Sequence, residues 1–242
     1  MVEELTMNLR IHSIFRSTEG EGVHIGTPQV FVRFQGCNIG CLNCDSKETW
    51  EFVEETMTMH EVLAEIENLC GQGVSRIQRV SITGGDPLHP QNVESVIALC
   101  QKLKKSGFFV NIEAAGTRVV NEIFDIIDYI SFDFKTPSTG VRTNAKTLKS
   151  LCDQYSGKAQ IKAVIADKND FEATFDMLER TLGSMDQIPD IPWVLTPCYE
   201  PDEDFPAERF SKIVRMNEDF GAPFRVIGQQ HKMIHGSNKR DI

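Results

Sequence analysis

Strand and helix signals alternate along almost the whole chain, and this constrains the fold more than any other feature. A first strand is expected over 9–15. QVFVRF (29–34) is β-branched and aromatic, and a loop separates it from a helix opening on the capping box Thr58-Met-His-Glu61. That helix carries Val62, Leu63, Ile66, Leu69 and Cys70 on one face and ends at Gly71 and Gly73. Strand signals recur at 79–83, 108–113, 129–134, 160–166, 193–196 and 224–227. Helical stretches lie between them near 92–106, 119–127, 143–155, 170–182 and 206–220. The closing QQHKMIHGSNKRDI has no apolar period and reads as a tail. Repeated strand–helix units imply an α/β fold with a parallel sheet and right-handed crossovers, whose ligands bind at the carboxyl ends of the strands. Five polar signals fall just after strands: the cysteine-bearing loop, GGDP (84–87), EAAGT (113–117), DFKTPS (133–138) and TPCYE (196–200). They argue for one site in one domain spanning 1–242. Periodicity leaves a partial barrel and a doubly wound sheet equally open.

Charge excludes some partners. With 25 Lys and Arg against 35 Asp and Glu, the net charge is −10, which opposes a nucleic-acid-coating surface. Two tryptophans are too few for a stacking platform. No apolar run approaches the length of a membrane span, and MVEELTMNLR has no apolar export core. An odd count of seven cysteines in such a chain argues against a disulfide framework. A cytoplasmic protein with no nucleic-acid or membrane partner is expected.

Three cysteines, Cys37, Cys41 and Cys44, fall within GCNIGCLNCDS, where Gly36 and Gly40 permit the turns. Thiolates at this CxxxCxxC spacing favour zinc, Cu(I) or an iron–sulfur cluster. Structural zinc closes with four ligands, and a fourth would have to come from His24 or His60 folding back. Three thiolates could instead hold three irons of a cubane and leave the fourth open. Cys70 and Cys100 sit at helical apolar spacing and read as core, as does Cys152.

CxxxCxxC after a strand, followed by the strand end Thr83-Gly84-Gly85-Asp86-Pro87, resembles the radical S-adenosylmethionine (SAM) superfamily. STEGEG (17–22), FVRFQGCNIGCLNCDS, IEAAGT, DFKTPS and the tail narrow the resemblance to the 7-carboxy-7-deazaguanine synthases, over nearly the whole chain from Ile11 to Ile242. Glu19 stands where that family often has Gln, Asp86 where Glu is frequent, and Ala114-Ala115 where Thr-Asn or Thr-Gln is usual. The resemblance implies a modified, incomplete (β/α) barrel of the radical SAM type, usually a homodimer. It implies a carbon–nitrogen lyase that converts 6-carboxy-5,6,7,8-tetrahydropterin to 7-carboxy-7-deazaguanine and ammonia, on the route to queuosine or archaeosine. Its cofactors would be a [4Fe–4S] cluster, SAM and Mg²⁺, with reduced flavodoxin or ferredoxin as electron donor. The alternatives are another radical SAM enzyme, such as a glycyl-radical activase acting on a partner protein, or a non-catalytic iron–sulfur or zinc protein.

The same resemblance assigns residues. Cys37, Cys41 and Cys44 in the loop 36–46 would ligate the cluster, and Ser46 the Mg²⁺. Asn43, Cys44, Asp45, Gly85, Asp133, Phe134, Lys135, Thr196, Pro197, Cys198 and Tyr199 match SAM-contacting positions. Thr18, Glu19, Gly20, Glu21, Arg33 and Thr83 match pterin-binding positions. His231 and the terminal carboxylate of Ile242 belong to a tail, 229–242, expected to close the pocket. Read without the family, Arg33 amid Phe31, Val32 and Phe34 is expected to aim inward, Lys135 at a strand end to be solvated, and EGEG to be a turn.

Overall fold

In the computed structural model, which describes residues 5–182, 190–200 and 202–239, the first expected strand is split at Arg10. β1 (Asn8–Leu9) pairs antiparallel with β4 (Met57–Thr58), and β2 (Ile11–Thr18) pairs antiparallel with β3 (Pro28–Phe34). Within the main sheet every pairing beyond β2–β3 is parallel. β5 (Arg79–Gly84), β6 (Phe109–Ala114), β7 (Tyr129–Phe134), β8 (Ala159–Ile165), β9 (Trp193–Pro197) and β10 (Arg225–Val226) follow. The sheet runs β10-β9-β8-β7-β6-β5-β3-β2.

The connections are helical where the sequence marks them. α1 (Met59–Cys70) starts on Thr58, and both arms of the capping box form: Glu61 N donates to Thr58 Oγ1, and Thr58 N donates to Glu61 Oε2 at 2.7 Å. α2 (Val93–Lys105), the short α3 (Asn121–Phe124), α4 (Ala145–Tyr155), α5 (Lys168–Leu182) and α6 (Ala207–Asp219) follow. The tail is partly ordered: α7 (Gln230–His235) forms where no helix was expected.

Register separates the two sheet faces cleanly, because successive side chains on a strand point to opposite sides. One row runs Val32–Ile82–Ile112–Ile130–Ala159 across five strands, each at most 1% exposed. Cys70 and Cys100 lie in the apolar core under this face, and Cys152 packs half-buried against it. The other rows are polar. Arg33 pairs with Thr83, Ser81 with Asn111, Glu113 with Ser131, Ser131 with Gln160, and Asp133 with Lys162.

The edge strands β2 and β10 do not pair with each other, so the barrel is incomplete. In a flat sheet they would stand about 34 Å apart at ~4.8 Å per spacing. Here the segments that follow them meet: Gln230 N donates to Gly20 O at 2.8 Å. The sheet therefore curls around its polar face. This is the incomplete α/β barrel expected from the sequence.

Candidate active site

Charge on the concave face converges on Lys162 of β8. Its Nζ lies 2.6 Å from Glu113 Oε2, 3.1 Å from Glu21 Oε2 and 3.9 Å from Asp133 Oδ1. The three carboxylates hold the Lys162 ammonium, although buried, well above its ordinary pKa. EGEG is thus more than a turn. The loop after β2 lies across the sheet, where Val23 N donates to Gln160 Oε1 at 2.8 Å and the His24 ring packs edge-on to Tyr129 at 4.3 Å.

Glu19 and Glu21, two residues apart, are driven in opposite directions. Burial and the nearby Glu113 push Glu19 up to about 7, although Gln29 Nε2 donates to it at 2.7 Å. Burial works against the charge on Glu21 too, but Lys162, His231 and Lys232 outweigh it and draw the carboxyl down to about 2. Gln229 Nε2 also donates to Glu21 Oε1. The site therefore pairs a carboxyl poised to carry a proton with one held as an anion.

The three thiols share the loop at one mouth of the barrel. Gly36 and Gly40 have φ of 89° and 74°, and a Cβ at Gly36 would overlap the Phe52 ring. Trp50 Nε1 points at Cys44 Sγ at 3.3 Å, as does Ser46 N at 3.4 Å, and the amides of Ile39 and Gly40 face Cys37. N–H groups aimed at sulfur suit a cluster, whose potential such bonds tune. Among the described residues, no three Cys, His, Asp or Glu side chains converge where one ion could bind. Three thiols, with N–H groups aimed at two of them, fit the three protein ligands of a cluster.

The GGDP turn is welded to this loop. Gly85 N donates to Phe34 O, and Asp86 N to Gly36 O. A Cβ on Gly85 would sit 2.5 Å from Gly36 O. Close packing of the two loops is thus sufficient reason for glycine there. Asp86 is buried and accepts from Leu88 N at 3.0 Å.

The strand-end residues divide by face. Asp133 faces the concave side and accepts from Lys135 Nζ at 2.7 Å, so Lys135 is an ion-paired lysine rather than a solvated one. Phe134 points the other way and packs against Trp193, which leaves only its backbone to the site. Thr196 lies in register with Val164 and Pro197 with Ile165, on opposite faces. Cys198 is buried beside the Asn43 side chain. Arg33 aims inward as expected, stacked 5.4 Å from the Phe15 ring, with its charge felt at Asp45. Thr83 is its register partner.

α7 ties these parts together. The His231 ring lies against Gly20, where a Cβ would collide with it, and Lys232 Nζ reaches Asp45 Oδ2 at 3.3 Å and the Tyr199 ring at 5.2 Å. Burial keeps His231 below its ordinary pKa. Ser46 Oγ donates to Asp45 Oδ1 at 2.9 Å. A cavity of about 200 Å³ opens between Ser17 and Thr18 on one side and α7 on the other. Ile242 lies outside the described residues.

A family model described as a 4Fe-4S single cluster domain matches residues 18–124, which include all three cysteines. The chain is 33% identical to the 7-carboxy-7-deazaguanine synthase of Koribacter versatilis over 165 residues, covering 68% of each chain. It is 30% identical to that of Halobacterium salinarum over 207 residues, 78% of this chain and 77% of the relative. The chain belongs to the 7-carboxy-7-deazaguanine synthase family. A solved structure, QueE from Escherichia coli, shares the fold with a TM-score of 0.67 over 95% of this chain and 98% of that one, at 22% identity.

In this member of the 7-carboxy-7-deazaguanine synthase family, motif reading finds the loops but misses Lys162, Glu113, Gln160, Gln229 and Lys232. A signal for the strand residues is nonetheless in the sequence. VSIT, VNIEA, ISFDF and QIKAV alternate polar with apolar, whereas strands buried on both faces read as continuous apolar runs. Alternation in parallel strands means a polar lumen.

Proposed function

We propose that this chain is a radical SAM lyase converting 6-carboxy-5,6,7,8-tetrahydropterin to 7-carboxy-7-deazaguanine and ammonia, within queuosine biosynthesis. One observation carries the reading beyond family membership: the cluster loop and the pterin-matching loop meet across one polar lumen, bridged by Lys232 of α7 to Asp45 and by Gln229, just before α7, to Glu21. Buried polar atoms around that lumen, Gln29 Oε1, Asn111 Oδ1, Gln229 Oε1 and Tyr199 Oη, have no partner among the described residues, which supports a polar ligand.

Cys37, Cys41 and Cys44 would hold a [4Fe–4S] cluster. When bound, that cluster would supply a single electron to SAM, and SAM the radical chemistry directed at substrate C6. The chain's own residues bind, orient and shield. Lys135 and Asp133, with Asn43, Asp45, Gly85 and the segment Thr196–Tyr199, line the SAM side. Arg33 is placed to fork the substrate carboxylate, and Thr18, Glu19, Gly20, Glu21 and Thr83 to read the pterin. Ser46 would give one oxygen to a Mg²⁺ that also takes the substrate carboxylate. Glu19, poised near neutrality, is the group suited to hold a proton as ammonia leaves. The 1–242 chain would act as one domain, with the tail 229–242, including His231 and Ile242, closing the site.

A homodimer in the cytoplasm, drawing electrons from reduced flavodoxin or ferredoxin, completes the proposal. No described helix is long and apolar enough to cross a membrane. The product would serve archaeosine where the host makes that nucleoside. The test is anaerobic turnover of carboxytetrahydropterin deuterated at C6, with dithionite and SAM. Deuterium should return to SAM, and product should exceed SAM consumed. SAM cleavage only with a partner protein, and no change in the pterin, would hand the case to an activase.

A further inference from the structure

Lys162 is among the enclosed charges of the lumen, with a side chain 13% exposed. Its partners come from three separate parts of the chain: Glu21 after β2, Glu113 on β6 and Asp133 on β7. The two glutamates are gripped at both oxygens. Glu113 Oε1 accepts from Asn111 Nδ2 at 2.8 Å while Oε2 meets Lys162. Glu21 Oε1 accepts from Gln229 Nε2 while Oε2 meets Lys162. Such double anchoring removes rotamer freedom that free glutamates retain.

The groups beside them are acceptors as well. Asn111 Nδ2 is used by Ser81 Oγ and Glu113, which leaves Asn111 Oδ1 buried and without a partner among the described residues. Gln229 likewise spends its Nε2 on Glu21 and leaves its buried Oε1 open. A wall of acceptors selects a ligand edge made of N–H donors, and it repels a carbonyl set in the same place. A 2-amino-4-oxopyrimidine ring presents such an edge through its amino group and ring N–H.

We propose that Lys162 is a positioning residue, fixing Glu21 and Glu113 as paired acceptors for the N–H edge of the substrate heterocycle and so setting its preference for a 2-amino over a 2-oxo ring. The assignment rests on the pterin reading above. Lys162 itself touches no substrate; it acts through the two carboxylates. Removing the cation leaves them close together without their counter-charge, so they separate or take up a proton, and the acceptor wall is lost.

The test is equilibrium binding to anaerobically reconstituted holoenzyme carrying SAM, with pterin-6-carboxylate and lumazine-6-carboxylate as probes. The wild type should favour the pterin by about tenfold or more. Lys162→Met should raise the pterin Kd about tenfold and collapse the preference to roughly threefold or less, with SAM affinity unchanged; Lys162→Arg should restore most of it. If the methionine variant fails to fold, Lys162→Gln is measured in its place against the same criteria. A folded variant that keeps the wild-type preference overturns the assignment. A wild type that binds both rings equally overturns it while leaving the pterin reading intact. A wild type that binds SAM and neither ring overturns both.

Discussion

The cluster loop gathers its functional groups within eight residues, from Cys37 to Cys44. The lumen gathers Glu21, Glu113, Asp133 and Lys162 from positions up to 141 residues apart. The loop takes its shape from turns of its own, so glycines and thiols must be contiguous, and GGDP braces it from outside through Asp86 N to Gly36 O. On the sheet, the register of parallel strands positions the charges, and each strand supplies only one or two of them. A contiguous site carries its donors in one segment, whereas a register-built site depends on every strand staying in place.

The largest expected effect lies on the loop. Cys37→Ala, Cys41→Ala or Cys44→Ala should each abolish SAM cleavage and deplete iron from about four per chain. Glu113→Gln should leave the iron content intact while weakening pterin binding. Iron lost from Glu113→Gln would break the comparison, because the two halves would then be one cooperative unit.

A second contrast lies on neighbouring residues of β7. Phe132 is fully buried on the apolar face, 6.4 Å from Phe124, and Phe132→Ala should cost about 3–5 kcal/mol in denaturant unfolding. Ser131, one residue earlier, faces the lumen and accepts from Gln160 Nε2 at 2.7 Å. Ser131→Ala should cost only about 1–2 kcal/mol, the penalty for one buried donor left unmatched. Equal costs would mean that the two faces are not energetically distinct.

The same contrast explains what could be read from sequence. The capping box, the glycine stops and the strand boundaries announce themselves locally, and the structure reproduces them within a few residues. Cys37, Cys41, Cys44, Gly85 and Glu19 can be singled out from sequence because they sit in contiguous motifs. Lys162 cannot be, since a lone lysine in QIKAV gains its meaning only when β7 sets Asp133 beside it. α7 was hidden for another reason. A six-residue helix is too short to form by propensity, and this one is held by polar contacts to Gly20, Glu21 and Asp45 that leave no apolar period. Read without the family, Lys135 at a strand end looks solvated, but Asp133, two residues away, pairs with it.

Glu19 and Glu21 should give opposite pH dependences of stability. Glu19 rises from an ordinary 4.5 to about 7 on folding, so the native state binds the proton more tightly than the unfolded chain. Stability is therefore lost as pH climbs from 4.5 through 7, by on the order of 3 kcal/mol at about 1.4 kcal/mol per pH unit. Glu19→Gln should remove that loss, raising the unfolding midpoint at pH 8 and changing it little at pH 5. Glu21 falls to about 2, so its contribution is complete above 4.5 and fades as pH drops toward 2. Glu21→Gln should destabilise at pH 7, by less at pH 3, and matter little only near pH 2. Chemical denaturation at these pH values checks both, and parallel pH profiles would refute the opposed roles.

The smallest effect is expected at Ser46, where loop and lumen meet. Its hydroxyl donates to Asp45 Oδ1, and Asp45 is in turn paired with Lys232 of α7. The bond is exposed, so Ser46→Ala should shift unfolding by less than about 1 kcal/mol. Its consequence lies in turnover. If Ser46 Oγ supplies one oxygen to a Mg²⁺ that orients the substrate carboxylate, Ser46→Ala should raise the Mg²⁺ concentration for half-maximal rate several-fold while leaving SAM affinity and iron content unchanged. Titrating Mg²⁺ against both proteins after treatment with EDTA reads this directly. Identical wild-type rates with EDTA and with Mg²⁺ would remove the ion from the mechanism. A Ser46→Ala protein that loses SAM affinity instead would assign the hydroxyl, through Asp45, to the cofactor side of the site.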